Sequence, residues 1–72
     1  MAVIGVDLGG TKIAAAIFDH FGNIKAKEVR LLEGAQGDKV GKLVNEVILS
    51  LMEGNPRQNI KAIGVCVPGI VY

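Results

Sequence analysis

The chain has 72 residues, enough for one small domain and too few for a multidomain enzyme with its own substrate cleft. Eight Lys and Arg against seven Asp and Glu give a net charge of +1 with no block of like charge, so neither a nucleic-acid-binding face nor a polybasic membrane patch is indicated. Half of the residues are hydrophobic, which excludes disorder, but the apolar runs are too short to span a membrane.

The single cysteine and the N-terminal segment indicate the cellular compartment of the protein. Cys66 lies in an apolar run without a partner for an intrachain disulfide or a cysteine-based metal site, which is typical of a reducing compartment and predicts an inert core thiol. The N-terminal segment has neither the basic region nor the cleavage site of a signal peptide. We therefore expect a cytoplasmic protein, with no zinc site in this chain.

Three short segments at the start of the chain predict a three-strand meander. Ala2 to Leu8 is apolar on both faces except for Asp7 and ends at a Gly-Gly pair, which indicates a central strand. Ile13 to Asp19 and Ile24 to Leu32 follow across short turns, and a histidine in the second turn, His20, is expected to be solvated rather than a metal ligand.

The third predicted strand has features of an edge strand. Its apolar positions change parity, from Ile24 and Ala26 to Val29 and Leu31, which predicts a bulge near Lys27-Glu28. Its charged residues are expected to form a solvated face; these are Lys25, Lys27, Glu28 and Arg30.

A helix and a fourth strand complete the chain. Asp38 is the predicted N-cap of a helix that runs to about Glu53, with Gly54 just beyond it as the C-terminal stop. Apolar residues at steps of three and four predict one continuous stripe that packs on a sheet; they are Val40, Leu43, Val44, Val47, Ile48, Leu51 and Met52. Ile60 to Val67 is predicted to be a strand in the sheet interior.

The element order β-β-β-α-β predicts an α/β fold with a mixed sheet. A helical crossover makes the fourth strand parallel to its neighbour, and pairing it with the first strand gives the order 3-2-1-4. One sheet face and the outer edge of the fourth strand are then left uncovered. We therefore expect a truncated domain, or one completed by another chain, for instance through self-association at the open edge.

The segment from Asp7 to Lys12 contains the residues best suited to bind a ligand. A carboxylate at the end of a central strand, followed by Gly9, Gly10, Thr11 and Lys12, supplies backbone N–H groups for phosphate oxygens and an acid for Mg²⁺. The alternative without function is a surface hairpin turn. A P-loop is disfavoured because its Lys and Thr are transposed here and because a P-loop opens a helix, and no dinucleotide-binding glycine pattern occurs.

These residues resemble a known family. The run from Val3 to Lys12, with its D-x-G-G-T-K core, and the later segment from Ile63 to Gly69 resemble the N-terminal part of the ROK family of sugar kinases and sugar-responsive repressors, in the actin-like ATPase superfamily. The resemblance covers essentially the whole chain and implies a ribonuclease-H-like β-β-β-α-β unit, the phosphate-binding half-domain of a longer protein.

The resemblance also implies binding roles. Asp7 would act through water on the Mg²⁺ of Mg-ATP, the segment from Gly9 to Lys12 would lie against the phosphates, and Gly69 would belong to a loop beside the sugar. The family's catalytic aspartate, its zinc motif and its adenosine-binding half have no counterpart here, and Tyr72 departs from the Asp or Asn often found at its position.

Three functions are compatible with these observations. The first is part of an ATP-dependent hexose kinase of the glucokinase type, inactive as this chain alone. The second is the sugar-sensing part of a ROK-type repressor, whose DNA would be read by a separate module. The third is a self-associating, non-catalytic module.

Overall fold

A computed structural model describes residues 1–66 as a four-stranded sheet with one helix. The strands are β1 (Ala2–Leu8), β2 (Lys12–Asp19), β3 (Ile24–Leu31) and β4 (Ile60–Cys66), and the helix is α1 (Asp38–Gly54). The sheet order is β3-β2-β1-β4, with β1 antiparallel to β2 and parallel to β4. This confirms the predicted α/β class and the sheet order 3-2-1-4; Val67, the predicted end of the last strand, lies outside the described residues.

Strand alternation places one set of side chains under the helix. In β1 and β2 every second residue points to the same face, and those beneath α1 are almost fully covered; they are Ala2, Ile4, Val6, Ile13, Ala15 and Ile17. From the helix, Val47 and Leu51 complete this core at 0% and 3% exposure. The apolar core therefore lies between α1 and the middle of the sheet.

The helix follows the predicted apolar stripe except at its ends. Val40, Leu43, Val44 and Ile48 are partly buried against the core, whereas Met52 remains 38% exposed. The predicted N-cap is wrong by one residue. Gly37, with φ at +60°, occupies the N-cap, and Asp38 lies in the first turn, where its charge favours the positive end of the helix dipole.

The C-terminus of α1 also extends slightly beyond the prediction. Gly54 is the last helical residue rather than the stop. Asn55 caps this end, because its backbone N–H donates to the carbonyl of Met52 and its side-chain amide donates to the carbonyl of Leu51 at 2.8 Å.

The bulge in β3 lies nearer its start than the sequence predicted. Ile17 pairs with Ala26 and Phe18 pairs with Ile24, so Lys25 is the extra residue, and Lys27-Glu28 pairs regularly. The parity change in the sequence has a different cause, because Val29 and Leu31 simply point to the sheet face away from the helix.

The prediction that all charges of β3 form a solvated face is also wrong. Glu28 and Arg30 point toward α1 and form a polar cluster with it. Arg30 contacts the carboxylates of Glu28 at 3.3 Å and Glu46 at 3.2 Å, and the Ser50 hydroxyl donates to Glu28 at 2.8 Å. These contacts join the outer strand to the helix where the apolar core ends.

The interior position predicted for the fourth strand is not observed. β4 is an edge strand of the described sheet, and all of its residues after Ile60 are exposed. The reason is the position of α1, which packs over β2 and β3. Ile63 and Val65, whose partners on β1 are buried under the helix, therefore remain 47% and 52% exposed.

Candidate functional site: a glycine hairpin at the carboxyl edge of the sheet

The candidate site lies where three parallel strands end. β1 and β4 are parallel, and β3 shares their direction because both β1 and β3 are antiparallel to β2. The β1–β2 hairpin and the β3–α1 loop therefore lie at one edge of the sheet. Ligands of open α/β sheets bind beyond the carboxyl ends of the strands, so this is the edge where binding is expected.

The hairpin between β1 and β2 is tight and well anchored. Gly9 donates its N–H to the carbonyl of Lys12 at 3.0 Å, and Leu32 donates to the carbonyl of Thr11 at 2.9 Å. Residues from Lys12 onward form a strand, so the P-loop alternative, which would open a helix here, is wrong. Within residues 1–66 the N–H groups of Gly10 and Thr11 have no protein acceptor, and both residues are exposed.

The two glycines of the hairpin differ in their surroundings. A Cβ atom on Gly9 would lie 3.3 Å from the Lys12 carbonyl oxygen, so the fold itself favours glycine at this position. A Cβ atom on Gly10 would meet nothing within 4 Å, so the described fold does not demand glycine there. At Gly10 the missing side chain leaves the backbone open to close approach by a ligand.

Two side chains of opposite charge flank the hairpin on one face. Asp7 pairs with Ala14 across the β1–β2 ladder, and Lys12 lies two residues before Ala14, so both side chains are on the face away from α1. Such diagonal neighbours lie about 7–8 Å apart. Within the described residues neither group forms an ion pair, so both charges are available to a ligand.

Cys66 lies beside Asp7 rather than in the core. The two residues are partners in the parallel β1–β4 register, so their side chains share the face away from the helix. The thiol is exposed, and the predicted inert core position is therefore wrong. Apolar neighbours in the sequence suggested burial, but the helix covers the other face of the sheet.

The remaining candidate residues are placed as follows. Gly69, the predicted sugar-loop residue, and Tyr72 lie outside the described residues. His20 lies in the β2–β3 turn with its ring 3.9 Å from the ring of Phe21.

Among residues 1–66 no three His, Cys, Asp or Glu side chains gather as metal ligands. A single carboxylate such as Asp7 suits Mg²⁺, which keeps several waters and takes its other ligands from phosphates. Of the helices in this part of the chain, none is long and apolar enough to cross a membrane.

The sheet order, the single crossover helix and the glycine hairpin after β1 define the chain as an α/β unit of the actin-like ATPase type. A model of the ROK family matches residues 3–72. The chain belongs to the ROK family, as the D-x-G-G-T-K segment suggested.

Solved structures share this fold. A ROK family glucokinase from Streptomyces griseus in complex with glucose and AMPPNP superposes with a TM-score of 0.84 at 28% identity, covering 99% of this chain and 22% of that one. A proposed N-acetylmannosamine kinase from Listeria monocytogenes gives 0.71 at 24% identity, covering 100% and 23%. A Ppx/GppA family member from Aquifex aeolicus gives 0.57 at 14% identity, covering 93% and 26%.

The chain thus spans less than a quarter of the length of the two kinases. No curated protein sequence matches it.

Proposed function

We propose that residues 1–72 form the phosphate-binding half-domain of an ATP-dependent sugar kinase that transfers the γ-phosphoryl group to a hexose hydroxyl in the cytoplasm. The observation that carries this proposal is the hairpin, where, among residues 1–66, the N–H groups of Gly10 and Thr11 and the charges of Asp7 and Lys12 are all unpaired. The kinase function, rather than a repressor function, is supported by the Streptomyces griseus glucokinase, whose structure contains glucose and AMPPNP.

Each residue of the hairpin has a distinct role in this proposal. The open N–H groups at Gly10 and Thr11 donate hydrogen bonds to phosphate oxygens, and the Lys12 ammonium offsets the charge on the transferring phosphoryl group. Asp7 holds Mg²⁺ through water, and the ion neutralises phosphate charge when bound. Gly69 belongs to the loop beside the sugar.

The chain alone is proposed to be inactive. Phosphoryl transfer needs two substrates aligned in line and shielded from bulk water. The described residues form one layered unit with the hairpin exposed at its edge, and the related kinases are more than four times as long. Purified chain mixed with Mg-ATP and glucose should therefore release no sugar-dependent ADP.

Phosphate binding is testable on the chain itself by NMR. Titration of the ¹⁵N-labelled chain with Mg-AMPPNP to millimolar concentration should shift the amide signals of residues 9–12 in a saturable way. The Asp7→Asn variant should weaken this binding severalfold, because it removes the carboxylate that would hold Mg²⁺. Glu53→Gln is the matched control, since Glu53 is an exposed carboxylate at the far end of α1.

The titration has two outcomes that would contradict the proposal. Absence of shifts at residues 9–12 at millimolar nucleotide would remove the phosphate-binding role. Equal weakening by Asp7→Asn and Glu53→Gln would show a general effect of negative charge rather than a site.

Activity is testable by replacing the equivalent segment of the Streptomyces griseus glucokinase with this chain. The chimera should phosphorylate glucose, and Asp7→Ala should abolish turnover without changing the thermal midpoint by more than a few degrees. A folded chimera with Asp7→Ala that keeps near-normal turnover would refute the assigned role of Asp7.

A further inference from the structure

The loop between β3 and α1 begins with a turn in a strained backbone conformation. Ala35 donates its N–H to the carbonyl of Leu32 at 2.9 Å, and the two residues between them, Glu33 and Gly34, have φ angles of +51° and +79°. Two successive positive φ angles are the pattern of a type I′ turn, which favours Asn or Gly. Glu33 is the one non-glycine residue with a positive φ among residues 1–66. Strain of this kind persists only where the surrounding structure holds it, and it clusters at functional sites.

The same turn is bonded to the β1–β2 hairpin. Leu32 donates its N–H to the carbonyl of Thr11 at 2.9 Å, and its side chain is buried in the core at 7% exposure. Both backbone groups of Leu32 are therefore in use, the carbonyl in closing the turn and the N–H in holding the hairpin. Opening of the turn would free the Leu32 carbonyl and loosen the hydrogen bond to Thr11.

This hydrogen bond acts at the tip of the hairpin. The β2–β3 ladder ends with the pair of Lys12 and Leu31, so Thr11 lies just beyond it. A cavity of about 530 Å³ separates the hairpin from the turn and is lined by Gly10 and Thr11 on one side and by Glu33 and Gly34 on the other. The N–H groups proposed to bind phosphate and the strained turn therefore lie at one cavity.

We propose that the Glu33-Gly34 turn is a positioning element of the phosphate site. By holding Leu32 against Thr11, it fixes the direction of the Gly10 and Thr11 N–H groups before the nucleotide binds. This inference rests on the phosphate-binding function proposed above for the hairpin. Donors fixed in advance bind a ligand more tightly, because less conformational freedom is lost on binding. The strain at Glu33 then serves the geometry of the hairpin rather than the stability of the domain.

Two glycines of the chain provide a matched pair of variants. Gly34 and Gly22 have φ angles of +79° and +86°, both are exposed, and a Cβ atom on either would meet nothing within 4 Å. Gly22 lies in the β2–β3 turn, at the opposite edge of the sheet. Gly34→Val and Gly22→Val should lower the urea midpoint by similar amounts, because both place a β-branched residue at a positive φ. Gly34→Asn is the conservative variant, since Asn adopts positive φ angles more readily than most residues.

The first measurement needs no nucleotide. Amide hydrogen exchange of the free ¹⁵N-labelled chain, followed by NMR, should be about tenfold faster at Leu32 in Gly34→Val than in Gly22→Val. The amide signals of residues 9–12 should move in Gly34→Val and stay in place in Gly22→Val. Gly34→Asn should keep the slow exchange of the wild-type chain. If the valine variants do not fold, Gly34→Ala and Gly22→Ala repeat the comparison with less strain.

The second measurement is titration of each variant with Mg-AMPPNP. Gly34→Val should weaken binding at residues 9–12 about tenfold, whereas Gly22→Val and Gly34→Asn should bind as the wild-type chain does. Because the two valine variants lose similar stability, a purely structural role of the turn would not separate them.

Three results would count against the proposal, and they are distinguishable. Equal exchange of the Leu32 amide in Gly34→Val and Gly22→Val would show that the turn does not hold the hairpin. Faster exchange in Gly34→Val with unchanged nucleotide binding would show that the hydrogen bond to Thr11 is structural only. A wild-type chain whose residues 9–12 do not respond to Mg-AMPPNP would instead refute the phosphate-binding function on which the inference rests.

Discussion

Leu51→Ala compared with Leu49→Ala tests the packing of α1 on the sheet. The two leucines are two residues apart on one helix, at 3% and 55% exposure. Truncation of a buried leucine costs about 2–5 kcal/mol, because transfer and cavity terms add. A surface truncation costs about 0.5 kcal/mol or less. Because the core is small and open at its margins, we expect about 2–3 kcal/mol for Leu51→Ala.

This loss is a large part of the total stability. At about 0.05–0.15 kcal/mol per residue, a domain of this length has about 4–11 kcal/mol. With a urea m-value of about 1 kcal/mol/M, Leu51→Ala should lower the unfolding midpoint by about 2–3 M, and Leu49→Ala by about 0.5 M or less. The measurement is urea unfolding followed by circular dichroism at 222 nm, at micromolar protein. Midpoints that differ by less than 0.5 M would refute the assigned orientation of the helix.

Three further changes test the hairpin and the polar contacts. Gly9→Ala should lower the thermal midpoint by several degrees because its Cβ would crowd the Lys12 carbonyl, whereas Gly10→Ala should leave the midpoint unchanged and weaken Mg-AMPPNP binding measured by NMR. Arg30→Ala should cost about 0.5–1 kcal/mol in urea unfolding at low salt and less at 1 M NaCl, because its two ion pairs are partly exposed. A hydrogen bond from the backbone N–H of Asn23, with smaller contributions from Phe21 and Lys25, lowers the pKa of Asp19 below its ordinary value of 3.8. The ionised Asp19 carboxylate therefore stabilises the folded state fully above pH 3.8, and this stabilisation is lost as the pH falls through the lower pKa of the folded protein. Asp19→Asn should therefore flatten the loss of stability below about pH 4 in acid unfolding curves, and an unchanged acid limb would contradict this role.

The element order could be predicted because local signals agree along most of the chain. β1 and β2 are bounded by glycine turns, and α1 has an apolar stripe with a capping signal before it and a glycine at its end. A helical crossover between two apolar strands then leaves few topologies. The hairpin was predictable for the same reason, since its glycines, hydroxyl and lysine are contiguous in the sequence.

Which side chains of β3 face the helix could not be predicted from the sequence, because tertiary packing decides the orientation of an outer strand. In β3 the sequence alternates charged and apolar residues, and either set could face the helix. The structure turns Glu28 and Arg30 toward α1 because polar residues there, Glu46 and Ser50, satisfy them. No local pattern links β3 to partners 16 and 22 residues away.

The burial of β4 could not be predicted from the sequence either. Its apolar sequence predicted burial, yet burial depends on what covers the strand, and α1 lies over β2 and β3. Cys66 is exposed for the related reason that its face of the sheet is opposite the helix. Hydrophobicity identified the strand correctly and could not place it relative to the helix.

The alternation along β1 separates stability from function within one strand. Ala2, Ile4 and Val6 point to the core and are 1–3% exposed, while Val3 and Asp7 on the other face are exposed. Substitutions at the even positions should therefore unfold the domain, whereas substitution of Asp7 should act on binding with little change in the urea midpoint. This separation makes Asp7 a clean probe, because loss of nucleotide binding on its substitution cannot be attributed to loss of the fold when the midpoint is unchanged.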